Sequence, residues 1–247
     1  HSWYRRQRQM CIRDSPMPYL SQGEFFSEYG SYDVKITLPA NYTVGATGDL
    51  VPGSEDNDAE KSRLDSLAAD TKMWVKNQGW KDAENTFPES SQRTKTLHYR
   101  QDNVHDFAWF ADKRYKVLRG TVVLPRDKRK VRTWAMFTPE EGELWQKAPE
   151  YLHDATYYYS LWNGNYPYNQ VTAVDGTISA GGGMEYPNVT VIGTAGSDSG
   201  LETVIVHEVG HNWFYGILGS NERENAWMDE GINSFNETRY LLSLIHI

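Results

Sequence analysis

His207-Glu208-Val209-Gly210-His211 sets two histidines four residues apart with an acid beside the first, inside an apolar-periodic run from Gly200 to Leu218. Wound as an α-helix, the run turns about 400° between the histidines and brings both to one face. Two imidazoles so placed can bind one Zn²⁺, and Glu208 can reach the metal's water as a general base. Eighteen residues separate His211 from Glu230, the expected third ligand. Two imidazoles and one carboxylate leave the fourth tetrahedral position to water, whereas structural zinc sites are closed by four protein ligands and are usually cysteine-rich. The chain has one cysteine, Cys11, far from the motif. The pattern therefore predicts a catalytic site with a single Zn²⁺ on His207, His211 and Glu230.

The elements that must position these residues can be read outward from the motif. Gly193–Gly200 is a glycine-rich turn with Ser197, Asp198 and Ser199 as candidate N-caps for the zinc helix, and Gly219-Ser220 is expected to end it. Met228, Ile232, Phe235 and Leu242 outline a following helix that carries Glu230. Glu237 stands seven residues after Glu230 on the same face, a candidate hydrogen-bond acceptor for a ligating histidine. Before the motif, Val189–Gly193 and Gln170–Val174 read as strands, and Gly181-Gly182-Gly183 allows a close approach of backbone. Thr138-Pro139-Glu140-Glu141 reads as a capping box with proline at the first helical position, opening a helix to Asn163-Gly164 with an apolar face from Leu144 to Trp162.

The first half of the chain has a different period. Tyr32–Leu38 alternates as a half-buried strand, and Thr94–Arg100, Val104–Phe110, Tyr115–Leu124 and Val131–Phe137 form similar short runs. Glu55–Gly79 interrupts them with a loose helical stripe of Leu64, Leu67, Trp74 and Val75, expected as an inserted surface helix. The fold class expected is α+β, with a β-rich N-terminal domain over residues 16–137 and a second domain over 138–242.

Composition excludes several classes. With 39% hydrophobic residues, 9 Trp and 16 Tyr, the 247-residue chain is too apolar and aromatic for disorder. A net charge of −8 with no basic stripe argues against nucleic acid as a partner. No apolar run approaches the ~20 residues of a membrane span. Residues 1–15, with four arginines and no hydrophobic period, and residues 243–247 read as foreign to the natural protein, resembling translated adapter sequence, so the natural gene is expected to continue beyond both ends.

Gly182-Gly183-Met184-Glu185, followed in order by His207-Glu208-Val209-Gly210-His211-Asn212-Trp213-Phe214 and, at the right distance, by Glu230-Gly231, resembles the zinc aminopeptidases of the aminopeptidase N family, and its bacterial branch in particular. Thermolysin relatives share the ligand logic but lack the Met-Glu strand. The resemblance implies a truncated thermolysin-like catalytic domain over 138–242 and removal of single residues from peptides with a free N-terminus. It implies zinc ligation by His207, His211 and Glu230, proton transfer by Glu208, capture of the substrate α-amine by Glu185, and backbone groups of Gly182 and Gly183 offered to the peptide. It also implies a periplasmic or extracellular location. Two departures stand out: Tyr186 replaces the asparagine of the familiar Gly-x-Met-Glu-Asn pattern, and the tyrosine that stabilises the oxyanion in the family is expected beyond Ile247.

Simpler readings compete at single residues. Glu185 could be a strand acid in a surface pair, and Glu237 a solvated helix acid. His105 could line a cleft but reads better as a hydrogen-bonded histidine of the β domain. His98 and His153 carry no functional reading, and Tyr157-Tyr158-Tyr159 is core plus rim of its helix. At the level of the whole chain the alternatives to an aminopeptidase are a non-catalytic binding scaffold, or an endopeptidase or epoxide hydrolase on the same site.

Overall fold

A computed structural model describes residues 26–84, 86–178 and 182–245. The foreign-looking stretch 1–15, Gly181 of the glycine run and the last two residues lie outside them. Of the other residues read as foreign, 243–245 continue the last helix, Ile232–Ile245.

The α+β class holds. Strand β1 (Gly30–Pro39) pairs antiparallel with β4 (Thr94–Val104), whose other edge takes the short β3 (Asp49–Leu50). Beside this sheet, β2 (Thr43–Ala46) pairs with β5 (Trp109–Asp112). The run Val104–Phe110, expected as one strand, is broken: Asn103 takes a positive φ of 57°, and Asp106 Oδ1 accepts the Phe107 amide at 2.7 Å in place of a ladder bond.

The second sheet has five strands in the order β6-β7-β8-β10-β9. Here β6 (Lys116–Val123) and β7 (Lys130–Phe137) form an antiparallel hairpin, and β7 runs parallel to β8 (Gln170–Asp175). Strand β8 is parallel to β10 (Val189–Ile192), whose outer neighbour β9 (Gly183–Met184) is antiparallel and occupies the sheet edge. Strands on both sides of Thr138 thus share one sheet, and a cut at that residue would leave β7 without its partner β8.

Both faces of this sheet are covered, which is why its central strands read as nearly continuous apolar runs. Val131, Ala135, Phe137, Val171, Ala173 and Ile192 face one way, against helix α2 (Ala148–Asn163) and helix α3 (Asp198–Gly210). Trp134, Met136, Val174, Val189 and Val191 face the other way, against Leu64 and Ala68 of helix α1 (Glu55–Lys76). The expected surface helix is therefore a covering layer.

Two helix boundaries differ from expectation. The capping box at Thr138 opens only a 3-10 turn, Pro139–Glu141, and one helical turn, Gly142–Trp145; α2 proper starts at Ala148 with Pro149 in its first turn. Proline cannot sit in a helix interior, so the helix restarts there. The Thr138 hydroxyl donates to Asp175 Oδ2 at 2.5 Å instead of capping. Likewise α3 begins at its N-cap Ser197 but ends at Gly210, and residues 211–218 wind through turns rather than helix. Tyr215 sits at φ 85°, where a helix cannot continue. Trp213, Phe214 and Tyr215 are nevertheless buried, so the apolar pattern persists past the helix end.

Helix α4 (Ile232–Ile245) packs on α3 through a close approach at Gly210. A Cβ there would lie 2.0 Å from Asn233 Oδ1 and 2.5 Å from Tyr159 Cε1. Gly210→Ala should therefore cost about 1–3 kcal/mol by overpacking, read as a lower midpoint in urea unfolding. An unchanged midpoint would show that the approach is slack.

Candidate metal centre

Helix α3 presents His207 and His211 from one face, and His211 keeps helical dihedrals (φ −63°, ψ −14°) although it caps the helix. Glu230 lies in the π-helical turn Trp227–Gly231 that leads into α4. The three side chains converge. His207 Nε2 is 3.1 Å from His211 Nε2 and 3.1 Å from Glu230 Oε2, and His211 Nε2 is 3.7 Å from that same oxygen. A tetrahedral zinc with bonds of about 2.0–2.1 Å has ligand–ligand edges of about 3.3 Å, so this donor set fits the ion. The ring planes lie at 79° to each other, so each nitrogen can point inward without the rings clashing.

The outward nitrogen of each imidazole is held by its own carboxylate. His207 Nδ1 donates to Glu237 Oε2 at 2.8 Å, and His211 Nδ1 to Asp229 Oδ1 at 2.5 Å. These bonds fix the tautomer that leaves Nε2 for a metal. They also shift the pKa values of the imidazoles. Burial pulls the His207 pKa down, but the hydrogen bonds to Glu230 and Glu237 and nearby carboxylate charge outweigh it and raise it to about 10. For His211 burial again opposes, and Asp229 with the charges of Glu185 and Glu208 raises it to about 9. Glu230 is lowered, chiefly by its hydrogen bond with His207.

Glu208 is 5% exposed, and its Oε2 is buried with no hydrogen-bond partner among the described residues. Burial raises its pKa to about 8; the positive charge of His211 opposes this, and the negative charge of Glu185 adds to it. A carboxyl poised there can take and return a proton near neutral pH. Strand β9 passes directly over it, since a Cβ on Gly183 would stand 2.4 Å from Glu208 Oε1. A larger residue there would require the Glu208 side chain to shift. Gly182 already uses its carbonyl to accept from the Gly193 amide at 2.9 Å. Among the described residues the far edge of β9 has no strand partner, and a sheet edge is where an extended peptide can add.

Glu185 follows β9 directly. Its carboxyl lies within 4.8 Å of those of Glu208 and His211's ring nitrogen, and in a second grouping within 4.8 Å of Glu222 and Asp229. Burial raises its pKa, with His211 opposing. It is thus part of the cluster and not a surface ion pair.

Sequence reasoning missed three residues. Asp229 is next to Glu230, and in a regular helix neighbours point about 100° apart; the wider π-turn brings both to the histidines. Asn233 donates to the His207 carbonyl at 2.7 Å and accepts from Tyr159 Oη at 3.2 Å, anchoring the helix turn that carries His207. Its signal was its place three residues after Glu230. Asn212 Oδ1 accepts the Asn188 amide at 2.9 Å, tying the approach to β10 to the end of α3. His105 is buried, its ring 3.8 Å from that of Tyr215, and burial pushes its pKa down to about 3. His98 pairs with Asp33, and His153 with Asp154, away from the cluster.

The sequence matches no family model and no curated protein. Its fold, however, is shared with solved M1 zinc metallopeptidases. A two-domain M1 zinc metallopeptidase variant bound to L-arginine superposes at a TM-score of 0.53 with 17% identity over 92% of this chain and 44% of that one. The M1 zinc metallopeptidase from Deinococcus radiodurans gives the same values. Aminopeptidase A of Legionella pneumophila in complex with aspartic acid gives a TM-score of 0.57 with 13% identity, over 85% of this chain and 22% of that one. The chain thus spans less than half the length of these neighbours. Among the described residues, no helix is long and apolar enough to cross a membrane.

Removing the carboxylate behind a ligating imidazole loosens metal binding without removing a ligand. Asp229→Ala should lower zinc affinity by about 10–100-fold in competition with a chromogenic chelator. Unchanged affinity would mean that the 2.5 Å contact does not orient His211.

Proposed function

We propose that this chain carries the active site of a zinc-dependent aminopeptidase that removes N-terminal residues from peptides. The observation that carries the reading is the convergence of His207, His211 and Glu230 at tetrahedral spacing, with Glu208 and Glu185 adjoining them. In this reading His207, His211 and Glu230 would hold one zinc, which would supply polarisation of the scissile carbonyl and of the attacking water.

The chain's own residues do the rest. Glu208, held near neutrality by burial, takes the water's proton on Oε2 and delivers it to the leaving amine. Gly183 keeps β9 low over Glu208, so a peptide added along that strand's outer edge would lie with a carbonyl beside the acid. Glu185, at the end of the strand, pairs with the substrate's α-ammonium and so sets the cut one residue in. Glu237 and Asp229 keep the imidazoles oriented throughout. The resemblance to the bacterial branch of the aminopeptidase N family is the ground for a periplasmic or extracellular location.

The L-arginine and aspartic acid bound in the structural neighbours are the kind of product this reading requires. Glu208→Gln should retain one zinc per chain and lose about 10²–10⁴-fold in kcat on an aminoacyl chromogenic substrate. A variant that cleaves as fast as the parent would remove Glu208 from the mechanism. Acetylating the substrate's α-amine separates exopeptidase from endopeptidase action: hydrolysis should fall with the blocked substrate, and equal cleavage of both would exclude an aminopeptidase.

A further inference from the structure

Helix α1 covers only part of its face of the five-stranded sheet. Alternation along β7 puts Lys130, Arg132, Trp134 and Met136 on that face. Leu64 and Ala68 of α1 pack on Trp134 and Met136, whereas Lys130 and Arg132 at the start of the strand stay exposed. A cleft of about 460 Å³ opens there, within the range of about 300–1,000 Å³ in which proteins bind small molecules. Trp134, Met136, Gln170 and Thr172 form its floor, and all four are buried. Lys61 and Leu64 of α1 make one wall. Strand β2 makes the other and comes down onto the sheet at Gly45, where a Cβ would lie 2.8 Å from Val174 Cγ1. Helix α3, with the metal ligands, packs on the opposite face, so the sheet separates the cleft from the metal centre.

Charge and polarity divide this cleft into two parts. Lys61, Lys130 and Arg132 stand at its rim, and among the described residues Asp49 is the one acid that lines it. Asp49 Oδ2 already accepts from Asn169 Nδ2 at 2.8 Å. Arg119, on the same face under α1, is paired with Asp65, but among the described residues none of the three rim cations forms an ion pair. In a chain of net charge −8, three cations around one cavity make a local positive field. The Arg132 guanidinium carbon lies 5.6 Å from the Trp134 ring centroid, which holds that charge over the edge of the floor. Within the floor the polar groups satisfy each other: Gln170 Nε2 donates to Asn188 Oδ1 at 2.6 Å, and Thr172 Oγ1 donates to Gln170 Oε1 at 2.6 Å. The floor therefore offers a ligand apolar and aromatic surface, and the rim offers positive charge. A compact anion would leave the floor uncovered, and a neutral apolar molecule would leave the cations unanswered.

We propose that this cleft binds a small organic acid, its apolar body on Trp134 and Met136 and its carboxylate among Lys61, Lys130 and Arg132. A free acid and the carboxyl end of a short apolar peptide present the same chemistry. The inference does not rest on the aminopeptidase reading, because no residue of the metal centre takes part.

The test is calorimetric titration of octanoate and of Nα-acetyl-leucyl-leucine into the protein, with octanamide, acetate and inorganic phosphate as controls. The same titrations are run on Lys61→Gln and on the double variant Lys130→Gln with Arg132→Gln, all exposed positions whose replacement leaves the core intact. The better of the two acids should bind about tenfold or more tighter than each control, and the double variant should lose about tenfold of that affinity. Lys61→Gln should lose a smaller part, and binding should weaken as salt is raised. Affinity should be the same in zinc-loaded and chelator-treated protein. Tighter binding of octanoate assigns the cleft to free acids, and tighter binding of the blocked dipeptide assigns it to peptide carboxyl ends. Octanamide binding as well as octanoate, or parental affinity in the double variant, overturns the proposal. Equal binding of acetate or phosphate would mean an adventitious ion only and overturns it too. Binding that disappears with the zinc would place the acid at the metal centre, against the cleft but in keeping with a metallopeptidase. Should the double variant not fold, Lys61→Gln decides: parental affinity there counts against the cleft.

Discussion

Two imidazoles enclosed by carboxylates are the constraint on which the site depends. His207 stands between Glu230 and Glu237, and His211 between Asp229 and the Glu185–Glu208 pair. Burying that many like charges is unfavourable unless cations are held among them. The carboxylates around them are the common cause of the raised pKa values of both imidazoles. A divalent ion at the Nε2 atoms answers the same need while leaving both Nδ1 bonds in place. The arrangement is thus built for a cation at one point, and the fold is what keeps the donors from relaxing apart.

That rigidity comes from packing at the metal helix. Gly210 lets Asn233 and Tyr159 approach α3, and Asn233 then bonds the His207 carbonyl. Asn212 ties the end of the helix to Asn188, ahead of β10. Gly183 brings the edge strand down onto Glu208. A mixed sheet covered on both faces supports all of this, with α1 on one side and α2 and α3 on the other. His207 and Glu208 sit on α3, Asp229 and Glu230 come from the π-turn, and Glu237 comes from α4.

The parts of the site legible in the sequence were those set by local periodicity. Four residues in a helix fix the relation of His207 to His211, and seven residues put Glu237 on the face it uses. Asp229 was hidden because only a π-turn brings it beside Glu230. The end of α3 was hidden for a related reason: Trp213, Phe214 and Tyr215 are buried in turns, so apolarity continued where helix did not. The pairing of β7 with β8 joins Arg132 to Gln170 across an intervening helix, a non-local fact that strand patterns do not carry. Pro149 did announce the late start of α2, but the stronger-looking capping box at Thr138 masked it, and that threonine's hydroxyl was committed to Asp175.

The coordination sphere itself is the central claim, and X-ray absorption at the zinc edge of zinc-loaded protein reads it directly. The account predicts nitrogen and oxygen neighbours only, at about 2.0–2.1 Å, with outer-shell scattering from two imidazoles and no sulfur at about 2.3 Å. Zinc that carries fewer than two imidazoles, or protein that retains no zinc after desalting, would contradict it.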